Sequence, residues 1–404
     1  MADLAARLRE ARDAAGLTQQ QVAESLGVRR PAIAEIEAGA RAVKSDELVQ
    51  LAALYGRSIP WLLQGEIQEE DQLASVLYRA TVVDPRMRRE VARLARRCRI
   101  IVQLEDRLDS PLPMPSAPQY SNPDAVSDQG AAMHDGHRVA YLERARLGIG
   151  PNAPLRDPWG IVEDAGLHVF SLELGPDHET DGIFARTSRG AACVGVNTDK
   201  WVFRQVFTVV HEYGHALMDS DIAAENCATQ YAWKTTGAPH IAANRELRAN
   251  QFAAVFLVPR EALLGFFAAR GKLAPGRIPR ARELTALEIV RGQDHFGVSG
   301  EMLLWRLRNE DLISGTTRRE LADELRRRGT QTLARTLGYD WRRFAQPFGR
   351  SRELALRAYA AGEASLGTVA ELFGRTKEDM LEALRGWGVH PEFSQDDALI
   401  GGAN

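Results

Sequence analysis

Apolar residues recur at three- and four-residue steps along most of this chain, and the breaks in that rhythm divide it into elements. Over the first 65 residues the stretches are short. "LAARLREARDAAG" stops at Gly16, "TQQQVAESLG" opens on Thr18 as an N-cap and stops at Gly27, and "VRRPAIAEIEAG" follows after almost no linker. "SDELVQLAALYG", capped by Ser45, and "SIPWLL", with Pro60 in its first turn, complete five predicted helices. Two short helices joined across a tight glycine turn and framed by others make a helix-turn-helix.

From Asp71 to Leu108 the helical step continues through Leu73, Val76, Leu77, Val91, Leu94, Ile101 and Leu104, with an interruption near Pro85. Seven arginines and one acid, Glu90, fall between Arg86 and Arg99, which reads as a solvated face. "DSPLPMPSAPQYSNPD", residues 109–124, holds five prolines and reads as an extended linker. Beyond it come a helix ending at Gly148, a second helix "PWGIVEDAG", and "LHVFSLEL", whose alternation predicts a half-buried strand. "DGIFARTSRGAACVGVN" predicts a hairpin turning at Ser188-Arg189-Gly190. Two amphipathic helices follow, one through Phe203, Phe207, Val210 and Leu217, the other through Leu247, Phe252, Val255 and Phe256. The last ninety residues are helical and arginine-rich and end on a helix-glycine-helix pattern with Ser365 as a cap.

Composition narrows the classes. With 404 residues, 45% apolar and 26% charged, the chain suits a globular protein of two or three domains. Cys98, Cys193 and Cys227 show no CxxC spacing, which argues against a disulfide framework or a zinc knuckle. The start "MADLAARLRE" is charged, and no apolar run is expected to reach a membrane span, so the reading is cytoplasmic with no membrane partner. Net charge is −3, so any nucleic-acid site must be local.

The chemistry concentrates in "FTVVHEYGHALM", where His211-Glu212-x-x-His215 puts two imidazoles one above the other on a helix face, within reach of one ion. Gly214 inside a helix predicts a close approach by another backbone. Glu246, on the second amphipathic helix, ranks first as a third ligand, ahead of Asp221 and His240, which falls in a predicted loop. Asn250, four residues on, is placed to reach back and orient a histidine. Cys193, in a strand expected to border the cleft, is a candidate regulatory thiolate for an open zinc position. Tyr231 and His240 are candidates for stabilising an oxyanion.

Two resemblances join these readings. "LREARDAAGLTQQQVAESLGVRRPAIAEIEAGAR" resembles the Xre/Cro repressor family, which implies that Arg29, Arg30 and Ala34 face base edges and that Gln19 and Arg41 lie near phosphates of double-stranded DNA. A homodimer on a two-fold operator is the matching expectation. "VFRQVFTVVHEYGHAL", then "E-x-x-A-N-x-F-A-A", then "LVP" resemble the ImmA/IrrE family of zinc metallopeptidases, with Phe-Thr-Val-Val where Phe-Thr-Leu-Ala is commoner. That likeness, from about residue 130 to 307, implies Zn2+ held by His211, His215 and Glu246, with Glu212 as catalytic base.

The expected fold is α+β and mostly helical. It runs as a five-helix helix-turn-helix domain (1–66), a helical connector (67–108), a proline-rich linker (109–124), a zincin-like metallopeptidase domain with a small sheet (125–312) and a C-terminal helical domain (313–404). The expected function is a site-specific zinc endopeptidase that cuts an Xre-type repressor or antitoxin to switch on a stress or mobile-element response. The alternative is a DNA-binding regulator, or an antitoxin, that uses the peptidase fold as a sensor.

Overall fold

The computed structural model describes residues 2–14, 17–55, 62, 85–110, 119–120, 122–186, 192–219, 239–274, 280–281, 284–345 and 349–391. The predicted hairpin turn at 188–190, Asp221, Tyr231 and Cys227 lie outside them, as do most of the fifth N-terminal helix and of the linker.

Among the described residues of the N-terminal unit the helices are α1 (Ala2–Ala14), α2 (Gln19–Leu26), α3 (Arg30–Glu37) and α4 (Ser45–Tyr55). Leu8, Val22, Ala23, Ile33, Ile36 and Leu51 make its core. Thr18 caps α2 as expected, its hydroxyl accepting from the Gln21 amide at 3.3 Å. The Arg12 guanidinium reaches Glu37 at 2.6 Å and ties α1 to the end of α3.

The rest of the described chain builds on a three-stranded sheet. Before it come α5 (Pro85–Arg107), α6 (Gln129–Arg146) and α7 (Pro158–Asp164); the strands are β1 (Leu167–Leu172), β2 (Gly182–Arg186) and β3 (Ala192–Asn197). Their order is β1-β3-β2, with β1 parallel and β2 antiparallel to β3. Next are α8 (Val202–Met218), α9 (Pro239–Leu257), α10 (Arg260–Ala268), a two-residue strand pair, α11 (Ala286–Phe296), α12 (Gly300–Asn309), α13 (Gly315–Arg328) and α14 (Thr330–Thr336). The chain closes with α15 (Arg350–Ala360), α16 (Leu366–Phe373) and α17 (Lys377–Trp387).

The sheet is covered on both sides. Leu167, Val169, Val194 and Val196 join a core shared with α8, α9 and α11. Phe170, Leu172, Ile183 and Cys193 join a second core with Val91, Leu94 and Cys98 of α5 and with Leu354, Val369 and Leu384 of the last three helices. β1 is therefore buried along almost its whole length rather than half-buried as predicted. Residues of the predicted connector and of the predicted C-terminal domain form one layer over this sheet.

The arginine run of α5 explains how that layer is attached. Arg97 is 3% exposed and donates to the carbonyls of Ser171 (3.1 Å) and Glu371 (3.1 Å), while Arg86 donates to that of Leu174 (2.8 Å). The expected solvated face thus includes cations that satisfy carbonyls where a strand and a helix end. A second expectation is corrected nearby: Ala243–Ala268, at mean hydropathy 1.4, is long and apolar enough to cross a membrane. Pro259 divides that stretch between α9 and α10, and its Phe252, Phe256, Leu263 and Phe267 fill the first core.

Candidate functional site

Helix α8 is buried along nearly its whole length, between β2 and β3 on one side and α9 on another. Gly214 is what allows α9 so close. A Cβ there would lie 2.8 Å from Cδ1 of Phe252, so the neighbour is an aromatic ring rather than the predicted backbone. This contact sets Glu246 of α9 opposite the His211 turn of α8.

His211, His215 and Glu246 come together, with one ligand atom of each within 4.8 Å of the others. The two Nε2 atoms are 3.0 Å apart. Oε2 of Glu246 is 3.4 Å from His211 Nε2, and Oε1 is 3.4 Å from His215 Nε2. Burial works against the charge of Glu246, but its bonds to His211 and His215 outweigh that and hold its carboxyl below the ordinary range. Glu212 is 8% exposed, and burial raises its carboxyl against the opposing pull of the two histidines. Edge strand β2 begins beside it: a Cβ on Gly182 would sit 3.1 Å from Glu212 Oε1 and 2.5 Å from Thr208 Cγ2. A side chain at 182 would collide with Thr208 and press on that carboxylate.

The residue that orients His215 is Asp219, which the sequence reading passed over. Its Oδ2 accepts from His215 Nδ1 at 2.8 Å, which turns Nε2 toward Glu246. Its Oδ1 accepts from Arg248, which also approaches Asp135 at 3.4 Å. Asn250, expected in this role, is exposed and shows no hydrogen bond to either histidine among the described residues. Asp219 lies four residues past His215, a spacing as readable as that of the histidine pair.

Other predicted residues fall elsewhere. Cys193 is fully buried and points into the second core, on the face of the sheet turned away from α8, so it does not border the cleft. His240 lies in the first turn of α9 rather than in a loop. In the N-terminal unit, Arg29 and Arg30 are exposed at the start of α3. Gln19 donates to Glu37 at 2.9 Å and Arg41 to Glu47 at 2.6 Å, so both are engaged within the unit; Ala34 is half-buried.

A family model described as helix-turn-helix matches residues 8–62, and one described as IrrE N-terminal-like domain matches residues 162–308. The chain is an Xre-like helix-turn-helix fused to an IrrE-like peptidase domain. No curated protein matches it. Strands β2 and β3, helices α8 and α9 and all of the His211, Glu212, His215, Asp219 and Glu246 cluster lie inside the IrrE-like match, whereas α5 and α15–α17, which cover the far face of its sheet, lie outside.

Proposed function

We propose that this protein is a zinc-dependent endopeptidase, brought to DNA by its helix-turn-helix module, that cleaves a protein substrate of the Xre-type repressor or antitoxin class. The observation that carries the reading is the convergence of His211, His215 and Glu246 beside the buried carboxyl of Glu212. Their chemistry fits zinc, which takes imidazole and carboxylate donors and keeps a fourth position open in catalytic sites. Their spacing fits too: bonds of about 2.0–2.1 Å in a tetrahedron set donors roughly 3.3–3.4 Å apart, against the 3.0 and 3.4 Å separations between these side chains.

Zinc, when bound, would acidify a water and polarise the scissile carbonyl. The protein's part is proton handling and orientation. Glu212 would take the proton of the attacking water and return it to the leaving amine, and its burial beside Gly182 keeps the carboxyl poised to hold a proton between the two steps. Asp219 would keep His215 in the tautomer whose Nε2 lone pair faces the ion.

Glu212→Gln preserves size but removes the base, so turnover should fall about 10²–10⁴-fold with zinc retained. In cells, that variant should leave the partner repressor intact on an immunoblot and its target genes uninduced. Normal induction would remove peptidase action as the biological function and leave the DNA-binding regulator reading in its place.

A further inference from the structure

One turn before His211 and one turn after Glu246, Phe207 and Asn250 open into a cleft of about 650 Å³, a size that suits a peptide segment. The rings of Phe207 and His211 have centroids 6.2 Å apart, so the cleft adjoins the metal-ligand cluster. Its walls are aromatic and apolar: Trp201, Phe203, Met302, Leu304 and Trp305. Trp201 and Trp305 are 41% and 47% exposed, unusual for residues of that size.

Apart from Glu301 at the rim, the charged groups of this cleft are already paired. Arg204 is bound to Asp181, Arg306 to Glu310 and to the Val258 carbonyl, and Arg326 to Asp323. Gln293 differs. It is fully buried, it lines the cleft, and among the described residues neither its Oε1 nor its Nε2 has a hydrogen-bond partner. A buried amide left this way is costly, since each unmet donor or acceptor bears its full desolvation penalty. Leucine would fill the same space without that cost. Position 293 thus gives up stability in the wall of a cleft that adjoins the metal-ligand cluster through Phe207, and such a cleft is where a protein retains polarity for recognition.

A carboxamide is complemented by another carboxamide: one N–H···O bond in each direction satisfies all four groups. We infer that this cleft is a specificity pocket of the peptidase and that Gln293 selects a glutamine or asparagine side chain of the substrate beside the scissile bond. Phe207 and Met302 would pack the methylene stem. A leucine in the same place leaves Gln293 unpaired, and a lysine or arginine brings a charge to a buried amide; only Glu301, exposed at the rim, favours a cation. The inference rests on the peptidase reading, so its test does not depend on turnover alone.

The full chain carrying Glu212→Gln is titrated with acetyl-Ala-Gln-Ala-amide, acetyl-Ala-Leu-Ala-amide and acetyl-Ala-Lys-Ala-amide, read by isothermal titration calorimetry. The glutamine peptide should bind about ten- to hundred-fold tighter than the leucine peptide, the factor that corresponds to leaving buried polar groups unpaired. Adding Gln293→Leu should invert that ratio, with a melting temperature at or above that of the parent. Equal affinities, or tighter binding of leucine or lysine by the chain that retains Gln293, would overturn the inference. In parallel, the wild-type chain digests a peptide library and the cut ends are sequenced by mass spectrometry. Enrichment of Gln and Asn at one position beside the cut supports the pocket, and its absence from an otherwise active digest overturns it. If nothing is cut, the peptidase reading fails while the binding ratio still decides the pocket.

Discussion

Asp219→Asn separates metal positioning from plain stability. In the wild-type chain the carboxylate stands between two donors, His215 Nδ1 at 2.8 Å and the Arg248 guanidinium, and all three side chains are buried. Asparagine offers one oxygen and one NH2 group, so one donor keeps an acceptor and the other faces a donor. Loss of one charge-assisted bond costs about 1.5–3 kcal/mol. Arg248 limits the damage, because it retains Asp135 and the Asn122 carbonyl at 3.4 and 3.3 Å. Zinc affinity should fall separately, by about 10–100-fold, as outer-sphere partners of ligating histidines do when lost. Chelator competition near neutral pH measures the affinity, and thermal melts followed by circular dichroism measure the stability. Asp135→Asn is the control: it touches Arg248 but not His215, so it should lower the melting temperature with zinc affinity unchanged. If Asp219→Asn binds zinc within a factor of about two of wild type, or if Asp135→Asn weakens zinc as much, then Asp219 does not position the histidine.

Two further outcomes test other parts of the molecule. Burial, opposed by the amides of Arg350 and Val169, pushes the Glu163 carboxyl up to about 7 from 4.5, so the folded chain holds a proton that the unfolded chain releases. The resulting stabilisation, about 3 kcal/mol, is complete below the unfolded value and lost as pH rises through about 7; Glu163→Gln should flatten that loss in urea unfolding at acidic and alkaline pH, and an unchanged pH dependence would discard the assignment. Arg30→Ala, at an exposed position opening α3, should weaken operator binding by about 1–3 kcal/mol and relax one base position, and a mobility-shift series showing uniform loss across all base substitutions would make Arg30 a phosphate contact instead.

What the sequence revealed follows from what is local. His211 and His215 share a helix, so their spacing alone announces a metal-sized gap. Asp219 has the same four-residue relation to His215 and was equally readable; what the string could not show is its second partner, because Arg248 reaches it only once α9 lies against α8. Strand alternation could say that Cys193 and Val194 face opposite ways but not which of them faces α8. The half-buried expectation for β1 failed for a related reason: the residues of α15 and α16 that cover its far face come some two hundred positions later. Gln293 was invisible in another way, since a polar residue on an amphipathic helix reads as solvated until its burial is seen.

The helix-glycine-helix pattern near the C-terminus repeats the N-terminal turn closely. Thr18 and Ser365 cap α2 and α16 through the amides of Gln21 and Thr368, both helices have eight residues, and Gly27 and Gly374 both turn at φ 66°. Val22, Ala23 and Ile33 are buried in the first unit, as are Val369, Ala370 and Met380 in the second. The residues after the turn diverge. Arg29 and Arg30 open α3, whereas Thr376 and Lys377 open α17 and are followed by Glu378 and Asp379. Those acids suit the positive end of a helix but repel phosphate. Helix α16 is also held down, its Glu371 carbonyl accepting from Arg97 of α5 and its carboxylate lying 3.7 Å from Arg96. One turn geometry therefore serves as a presented surface in one place and as a packing element against α5 in the other. The helix-turn-helix match over residues 8–62 supports DNA binding by the first unit, and the exposed cationic start of α3, where Arg30 also donates to Gln19 at 3.4 Å, is the feature the second unit lacks.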